Sequence, residues 1–199
     1  GLALAGLLAW GGLVFLRQPM APALDLVDLR GEAITSASLK GKVLLVNFWA
    51  TSCVTCVHEM PQLVETFRKY REQGYDTLAV AMSYDPPAYV ANFAERRQLP
   101  FGVAIDNTGE VARAFGDIRL TPTTFLIDKR GAIVKRYVGA PDFPALHALL
   151  EKLLASDQRR DFDGDYPIVN HQLLDTKQHQ QEVEELAAWE SLEMAPHRD

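Results

Sequence analysis

The chain has 199 residues, of which 48% are hydrophobic and 23% charged, enough apolar material for one ordinary domain with extensions. Its net charge is -6, so it lacks the basic surplus of nucleic-acid-binding proteins, and we expect no nucleic-acid partner. The acidity is uneven, because residues 156–199 hold 4 Lys+Arg against 11 Asp+Glu.

An apolar run opens the chain. Residues 1–16 are all Gly, Ala, Leu, Val, Phe or Trp, and Arg17 ends the run. A bilayer span needs about 20 apolar residues, so a few preceding residues would complete a span or the apolar region of a secretion signal. We expect residues 1–17 to form an uncleaved apolar helix that anchors the chain in a membrane; the alternative is a cleaved signal.

Strands and helices alternate over the next segment, residues 24–155. A short strand–turn–strand around residues 30–32 precedes a buried strand at 43–48. The spacing of apolar residues and breakers then predicts, in chain order, helix 53–72, strand 77–82, helix 85–98, strand 101–105, helix 110–115, strands 120–128 and 132–138, and helix 141–154. This order predicts an α/β fold with a central mixed β-sheet flanked by helices.

Residues 156–199 differ in composition from the predicted domain. They form a polar, acidic C-terminal extension that opens with a charged linker. Within it, residues 172–194 fit either an amphipathic helix or a solvated tail, and the pattern does not decide between them.

The two cysteines of the chain, Cys53 and Cys56, stand as C-x-x-C between the buried strand and the following helix. Only a thiolate attacks a disulfide, and the free N–H groups and dipole of a helix N-terminus stabilise a thiolate. Half of a zinc site is disfavoured because the chain holds no second cysteine pair. A purely structural disulfide is disfavoured because a disulfide that closes so short a loop stabilises the fold only slightly. The context therefore favours a redox-active pair.

Three stretches give the chain its resemblance to a known family. They are residues 41–50 leading into Cys53-x-x-Cys56, the Glu59-Met60-Pro61 that follows, and residues 121–128, which begin Thr121-Pro122. With these motifs the chain resembles the thioredoxin superfamily. It is most similar to the membrane-tethered, extracytoplasmic thiol–disulfide oxidoreductases of the TlpA/ResA kind, which implies a thioredoxin-like fold.

The resemblance implies a catalytic role for three residues. Cys53 would be the attacking thiol and Cys56 the resolving thiol. Glu59, one helical turn after Cys56, would be a buried acid that exchanges a proton with the dithiol and whose pKa burial would raise. The competing interpretation of Glu59 is an exposed carboxylate near the helix N-terminus.

The resemblance also implies a substrate-binding set. Pro122 would be a cis-proline facing the dithiol, since cis peptide bonds are largely confined to X–Pro. The backbone of Thr121 would form strand-like hydrogen bonds to the client, and Trp49 completes the set.

The sequence departs from the family pattern at three places. Ser52 stands where the family commonly has Trp, which removes an apolar wall beside the first sulfur. Asn47 occupies the position of a buried Asp in thioredoxin, which favours Glu59 as the proton carrier. The Val54-Thr55 pair between the cysteines lacks the family's common Pro, so the reduction potential cannot be deduced from it.

The family implies a protein-disulfide reductase on the periplasmic side of the cytoplasmic membrane. Its partners would be client proteins with cysteines or disulfides, apo-cytochrome c among the candidates, and a membrane thiol donor that re-reduces it. We expect no cofactor beyond the redox-active Cys53–Cys56 disulfide, and no metal. The alternative is a non-catalytic metal-delivery or client-binding module. Related copper carriers use C-x-x-x-C with a distant His, a spacing one residue longer.

Overall fold

A computed structural model of the protein describes residues 18–156. The predicted membrane segment, residues 1–17, and nearly all of the C-terminal extension, including the predicted helix 172–194, lie outside the described residues. Between residues 18 and 156, no helix has both the length and the apolar character to cross a membrane.

The described chain holds seven strands, four α-helices and one 3₁₀ turn. In order they are β1 (Asp25–Val27), β2 (Ala33–Thr35), β3 (Val43–Trp49), α1 (Val54–Tyr70), a 3₁₀ turn (Arg71–Gln73), β4 (Tyr75–Ala81), α2 (Pro87–Arg97), β5 (Gly102–Ile105), α3 (Glu110–Ala114), β6 (Thr123–Ile127), β7 (Ile133–Val138) and α4 (Phe143–Ala155). This order confirms the predicted α/β arrangement, with element ends displaced by at most three residues.

Five strands form one mixed sheet in the order β5-β4-β3-β6-β7, and β1 pairs with β2 in a separate antiparallel hairpin. The β5–β4 and β4–β3 pairs are parallel, whereas β3–β6 and β6–β7 are antiparallel. β3 is therefore the central strand, and all seven of its residues are buried. Its C-terminal end leads into the cysteine motif, so the sheet presents that motif from its most rigid position.

Side chains of β3 alternate between two cores, as a strand covered on both faces requires. Val43, Leu45 and Trp49 face a core that α1, α2 and α4 close, with Leu63 and Leu146 among its fully buried members. This face of the sheet carries the three longest helices.

The other face of the sheet packs against different elements. Leu44, Val46 and Phe48 of β3 point into a second core, to which α3 and the β1–β2 hairpin contribute. There Phe48 and Phe115 pack edge to face, with ring centroids 5.3 Å apart. Helices and the hairpin thus cover both faces.

The folded body begins before residue 24, the predicted boundary. The N–H of Ala21 donates to the carbonyl of Gly131 (2.8 Å), and the N–H of Ile133 donates to the carbonyl of Pro19 (2.8 Å). Ile133 lies next to Ile127, the end of β6 farthest from residues 121–123. The segment that follows residues 1–17 is therefore bound at the end of the sheet opposite the cysteine motif.

Leu63 connects α1 to the sheet and offers a direct test of the packing. We expect Leu63→Ala to lower the free energy of unfolding by about 3 kcal/mol, since it removes buried methyl groups and leaves a cavity. Chemical denaturation of the oxidised protein measures this. The matched variant Glu65→Ala, at an exposed position of the same helix, should cost less than about 0.5 kcal/mol. Equal losses for the two variants would contradict the packing described here.

Candidate active site

The cysteine motif lies where β3 ends and α1 begins. Cys53 is the N-cap residue of α1, with an extended backbone (φ -86°, ψ 107°). The backbone N–H of Cys56 donates to Sγ of Cys53 at 3.2 Å. The first turn of α1 contains no acidic residue. The helix N-terminus therefore directs a hydrogen-bond donor and its positive dipole end at this sulfur.

The two cysteines differ in exposure. Cys53 is partly exposed, whereas Cys56 is fully buried in the core beneath it. In the structure the two sulfurs form a disulfide, with Cα atoms 5.3 Å apart. A client can therefore reach the first sulfur but not the second, which suits the attacking and resolving roles implied for them.

The predicted cis-proline is confirmed, because the Thr121–Pro122 peptide bond is cis. Pro122 is buried and Thr121 is partly exposed. The carbonyl oxygen of Thr121 lies 3.4 Å from Sγ of Cys53, so this loop and the cysteine motif form one surface. The N–H of Gly139 donates a hydrogen bond to the carbonyl oxygen of Pro122 (2.8 Å).

Glu59 is only 3% exposed, which overturns the interpretation of an exposed helical glutamate. Nδ2 of Asn47 donates to Oε1 of Glu59 and to Oγ1 of Thr124, each at 2.9 Å. Asn47 and Thr124 are register partners on β3 and β6, and they point to the same sheet face as α1. Because Glu59 follows Cys56 by three residues on α1, the two lie on one face of that helix.

Burial makes Glu59 a weaker acid than an exposed glutamate. It raises the pKa of Glu59 from 4.5 to about 7, and the hydrogen bond from Asn47 only partly opposes this. Oε2 of Glu59 has no hydrogen-bond partner among the described residues. The carboxyl also borders a surface pocket of about 350 Å³, whose other lining residues are Thr55, His58, Gln62 and residues 140–144. A group with this pKa and this position can take up or release a proton near neutral pH.

Trp49 does not lie on the client surface that the resemblance implied. Its side chain is 0% exposed and packs against Phe93 of α2, with ring centroids 5.1 Å apart. The alternation along β3 explains this, because Trp49 falls on the same core-facing side as Leu45. We therefore assign Trp49 to the support of the motif rather than to client contact. Ser52, two residues before α1, is exposed.

Asp85 belongs to the site, although the sequence suggested only a helix start there. Its buried carboxylate accepts the backbone N–H of Thr51 (2.5 Å) and the Thr51 hydroxyl (2.6 Å). Thr51 lies two residues before Cys53, so the β4–α2 loop holds the loop that carries the first sulfur. The sequence shows an Asp before two prolines at this point. That pattern is equally typical of a helix N-terminus, so it does not by itself indicate the contact with Thr51.

The grouping of metal-ligating side chains in the described residues bears on metal binding. In the part of the chain that the structure describes, no group of three or more His, Cys, Asp or Glu is placed to hold a metal ion. The chemically competent groups of the site are the Cys53–Cys56 pair and Glu59.

Comparisons with known proteins agree with this geometry. Residues 17–150 match the Redoxin family. The thiol–disulfide oxidoreductase ResA of Bacillus thuringiensis subsp. konkukian is 38% identical over 133 residues, which are 67% of this chain and 76% of the relative. A solution structure of a thioredoxin-like protein from Neisseria meningitidis is 39% identical and superposes with a TM-score of 0.66, over 71% of this chain and 94% of that one.

A crystal structure of a thioredoxin-family thiol:disulfide interchange protein from Chlorobium tepidum is also similar. It is 30% identical, with a TM-score of 0.64, and the match covers 69% of this chain and 97% of that chain. Its fold and the fold of the described residues are the same, which confirms the thioredoxin-like architecture.

The pKa of Glu59 predicts a pH dependence of stability. Below pH 4.5 the carboxyl is protonated in the folded and the unfolded chain, but between pH 4.5 and about 7 only the folded chain keeps the proton. The free energy of unfolding therefore falls as the pH rises through this window, by about 3 kcal/mol, and then levels off. Glu59→Gln should remove this fall, because the amide does not titrate.

Denaturation of the oxidised wild type and of Glu59→Gln at about pH 5 and about pH 8 measures the effect. The matched control is Glu65→Gln, on an exposed position of the same helix, which should keep the wild-type dependence. A wild type and a Glu59→Gln variant with parallel pH profiles would show that Glu59 titrates normally.

Proposed function

Because the chain belongs to the Redoxin family and is a thiol–disulfide oxidoreductase of the ResA type, we propose that it works in the reducing direction on proteins outside the cytoplasm. The observation that carries the proposal is the unequal exposure of the two sulfurs. Cys53 is accessible at the start of α1, whereas Cys56 is fully buried and lies three residues before the buried Glu59 on the same helix.

The first step is attack by the Cys53 thiolate on one sulfur of a client disulfide. A Cys53–client disulfide forms, the client's own S–S bond breaks, and the departing client sulfur leaves as a thiolate that takes a proton. The N–H of Cys56 and the α1 dipole stabilise the Cys53 thiolate before attack. The carbonyl of Thr121, 3.4 Å from Sγ, lies where the backbone of a bound client passes.

The second step resolves the mixed disulfide. Cys56 loses its proton and attacks Sγ of Cys53, so that the Cys53–Cys56 disulfide forms and the client leaves with its second thiolate. Two electrons have then moved from the dithiol to the client. Glu59 is the group that accepts the Cys56 proton, since with a pKa of about 7 a substantial share of it is ionised at neutral pH.

The pocket beside Glu59 supplies the route by which that proton exchanges with solvent. His58 and Asp142 also line this pocket, so it contains polar side chains besides the buried carboxyl.

The enzyme needs a partner that restores the dithiol. Oxidising compartments favour disulfides, so a membrane thiol donor must return two electrons to Cys53–Cys56 after each turnover. We propose no dissociable cofactor, because the cysteine pair itself carries the electrons. Apo-cytochrome c, whose cysteines must be reduced, is a candidate client.

We propose a membrane-tethered arrangement on the periplasmic side, and the attachment of residues 19–21 is compatible with the tether. These residues are bound at the end of the sheet opposite the cysteine motif. If residues 1–17 anchor the chain, Cys53 faces away from the membrane surface and toward clients and donors in the surrounding compartment.

Trapping of the mixed disulfide tests the mechanism. Reduced Cys56→Ser should attack a disulfide-bonded client such as insulin and stop as a stable Cys53–client adduct, because the resolving thiol is missing. Non-reducing electrophoresis with mass spectrometry of the adduct measures this. Cys53→Ser is the matched variant and should yield no adduct and at least about a 100-fold slower reduction, since the remaining sulfur is buried. Equal activity of Cys53→Ser and the wild type would contradict the assignment.

A further inference from the structure

The loop between β4 and α2 contacts both halves of the active site. Through Asp85 it holds Thr51 and hence the loop that ends at Cys53. Through Tyr84 it reaches the cis-proline loop, with the tyrosine hydroxyl 3.5 Å from Oγ1 of Thr121. A buried carboxylate with two short hydrogen bonds fixes this loop, so the side chain next to it has a defined position.

Tyr84 contacts the side chain of Thr121 yet remains 59% exposed. Its hydroxyl meets the side chain of Thr121, and the carbonyl of that same residue lies 3.4 Å from Sγ of Cys53. Thr121 therefore connects Tyr84 to the sulfur that a client must reach. An exposed aromatic ring in such a place gains free energy when an apolar side chain covers it.

The surroundings of Tyr84 have the same character. Val54, 69% exposed, and Leu120, also exposed, flank Cys53 and Thr121, and neither they nor Ser52 carry a charge. Arg119, next to Leu120, is paired with Asp117, to which it donates at 2.6 Å. We call Val54, Tyr84 and Leu120 the apolar rim, since Val54 follows Cys53, Leu120 precedes Thr121 and Tyr84 contacts Thr121.

Ser52 supplies no apolar wall beside the first sulfur. A serine at an exposed position before Cys53 offers no apolar surface of its own. Among Val54, Tyr84 and Leu120, Tyr84 is the residue with a large ring, and it comes from the β4–α2 loop.

We propose that Tyr84 is a specificity-determining residue, which packs against a large apolar or aromatic side chain adjacent to the reacting cysteine of the client. The proposal rests on the dithiol-exchange function given above and adds the class of client segment. An uncharged rim disfavours clients with acidic or basic residues at that place, because their charges would lose water without gaining a partner.

The test uses symmetric disulfides of short peptides that differ only in the residue before the cysteine, Phe or Gly. The reduced full-length protein should reduce the Phe peptide about 5-fold faster in kcat/KM than the Gly peptide, and Tyr84→Ala should bring this ratio close to 1. A merely structural loss would slow both peptides equally and leave the ratio unchanged. Tyr84→Phe should keep the ratio, since the ring and not the hydroxyl makes the contact.

The matched control is Tyr89→Ala, which removes an equally exposed tyrosine (64%) from α2 and should keep the wild-type ratio. A Tyr84→Ala variant that keeps the wild-type preference for Phe would overturn the role of Tyr84 while leaving dithiol exchange intact. A wild type that reduces neither peptide would instead overturn the proposed function itself.

Discussion

A buried carboxyl that is only partly satisfied is the constraint on which the site depends. Glu59 accepts one hydrogen bond from Asn47 and is only 3% exposed, so its ionised form is costly. Replacing it by an apolar residue would remove that cost, as would moving it to the surface. The chain instead keeps the acid one turn from Cys56, where a proton must leave and return in each catalytic cycle.

The sheet explains why Glu59, Asn47 and Thr124 meet. Asn47 interrupts an apolar run in β3, and a polar residue in a buried strand needs a partner. The sequence predicted this strand, the cysteine motif and the helix after it, because hydrophobic runs, breakers and C-x-x-C spacing are local signals. The cis-proline and the burial of Glu59 were foreseen through the resemblance, which encodes contacts across the fold.

The roles of the remaining site residues depend on long-range contacts, which a local sequence pattern does not predict. Asp85 lies 34 positions from Thr51, and its role required knowing that the β4–α2 loop lies beside the end of β3. Tyr84 joins the site for the same reason. Trp49 was misplaced because proximity in sequence to the motif does not decide which sheet face a side chain takes, whereas the alternation along β3 does. The roles predicted for residues 1–17 and 157–199 remain predictions, because these residues lie outside the described part of the chain.

The pH dependence of the Cys53–Cys56 reduction potential tests most directly whether Glu59 couples proton transfer to dithiol exchange. In the reduced form Cys56 and Glu59 titrate as a pair, and a negative charge on either one raises the pKa of the other, so the pair keeps one proton to a higher pH than Cys56 alone keeps in Glu59→Gln. In the alkaline range where Cys56 of Glu59→Gln has ionised and the wild-type pair still holds its proton, the wild-type potential should therefore fall more steeply than that of Glu59→Gln, by about 30 mV per pH unit. Parallel lines for the two proteins across the whole range would contradict the role of Glu59 as proton carrier.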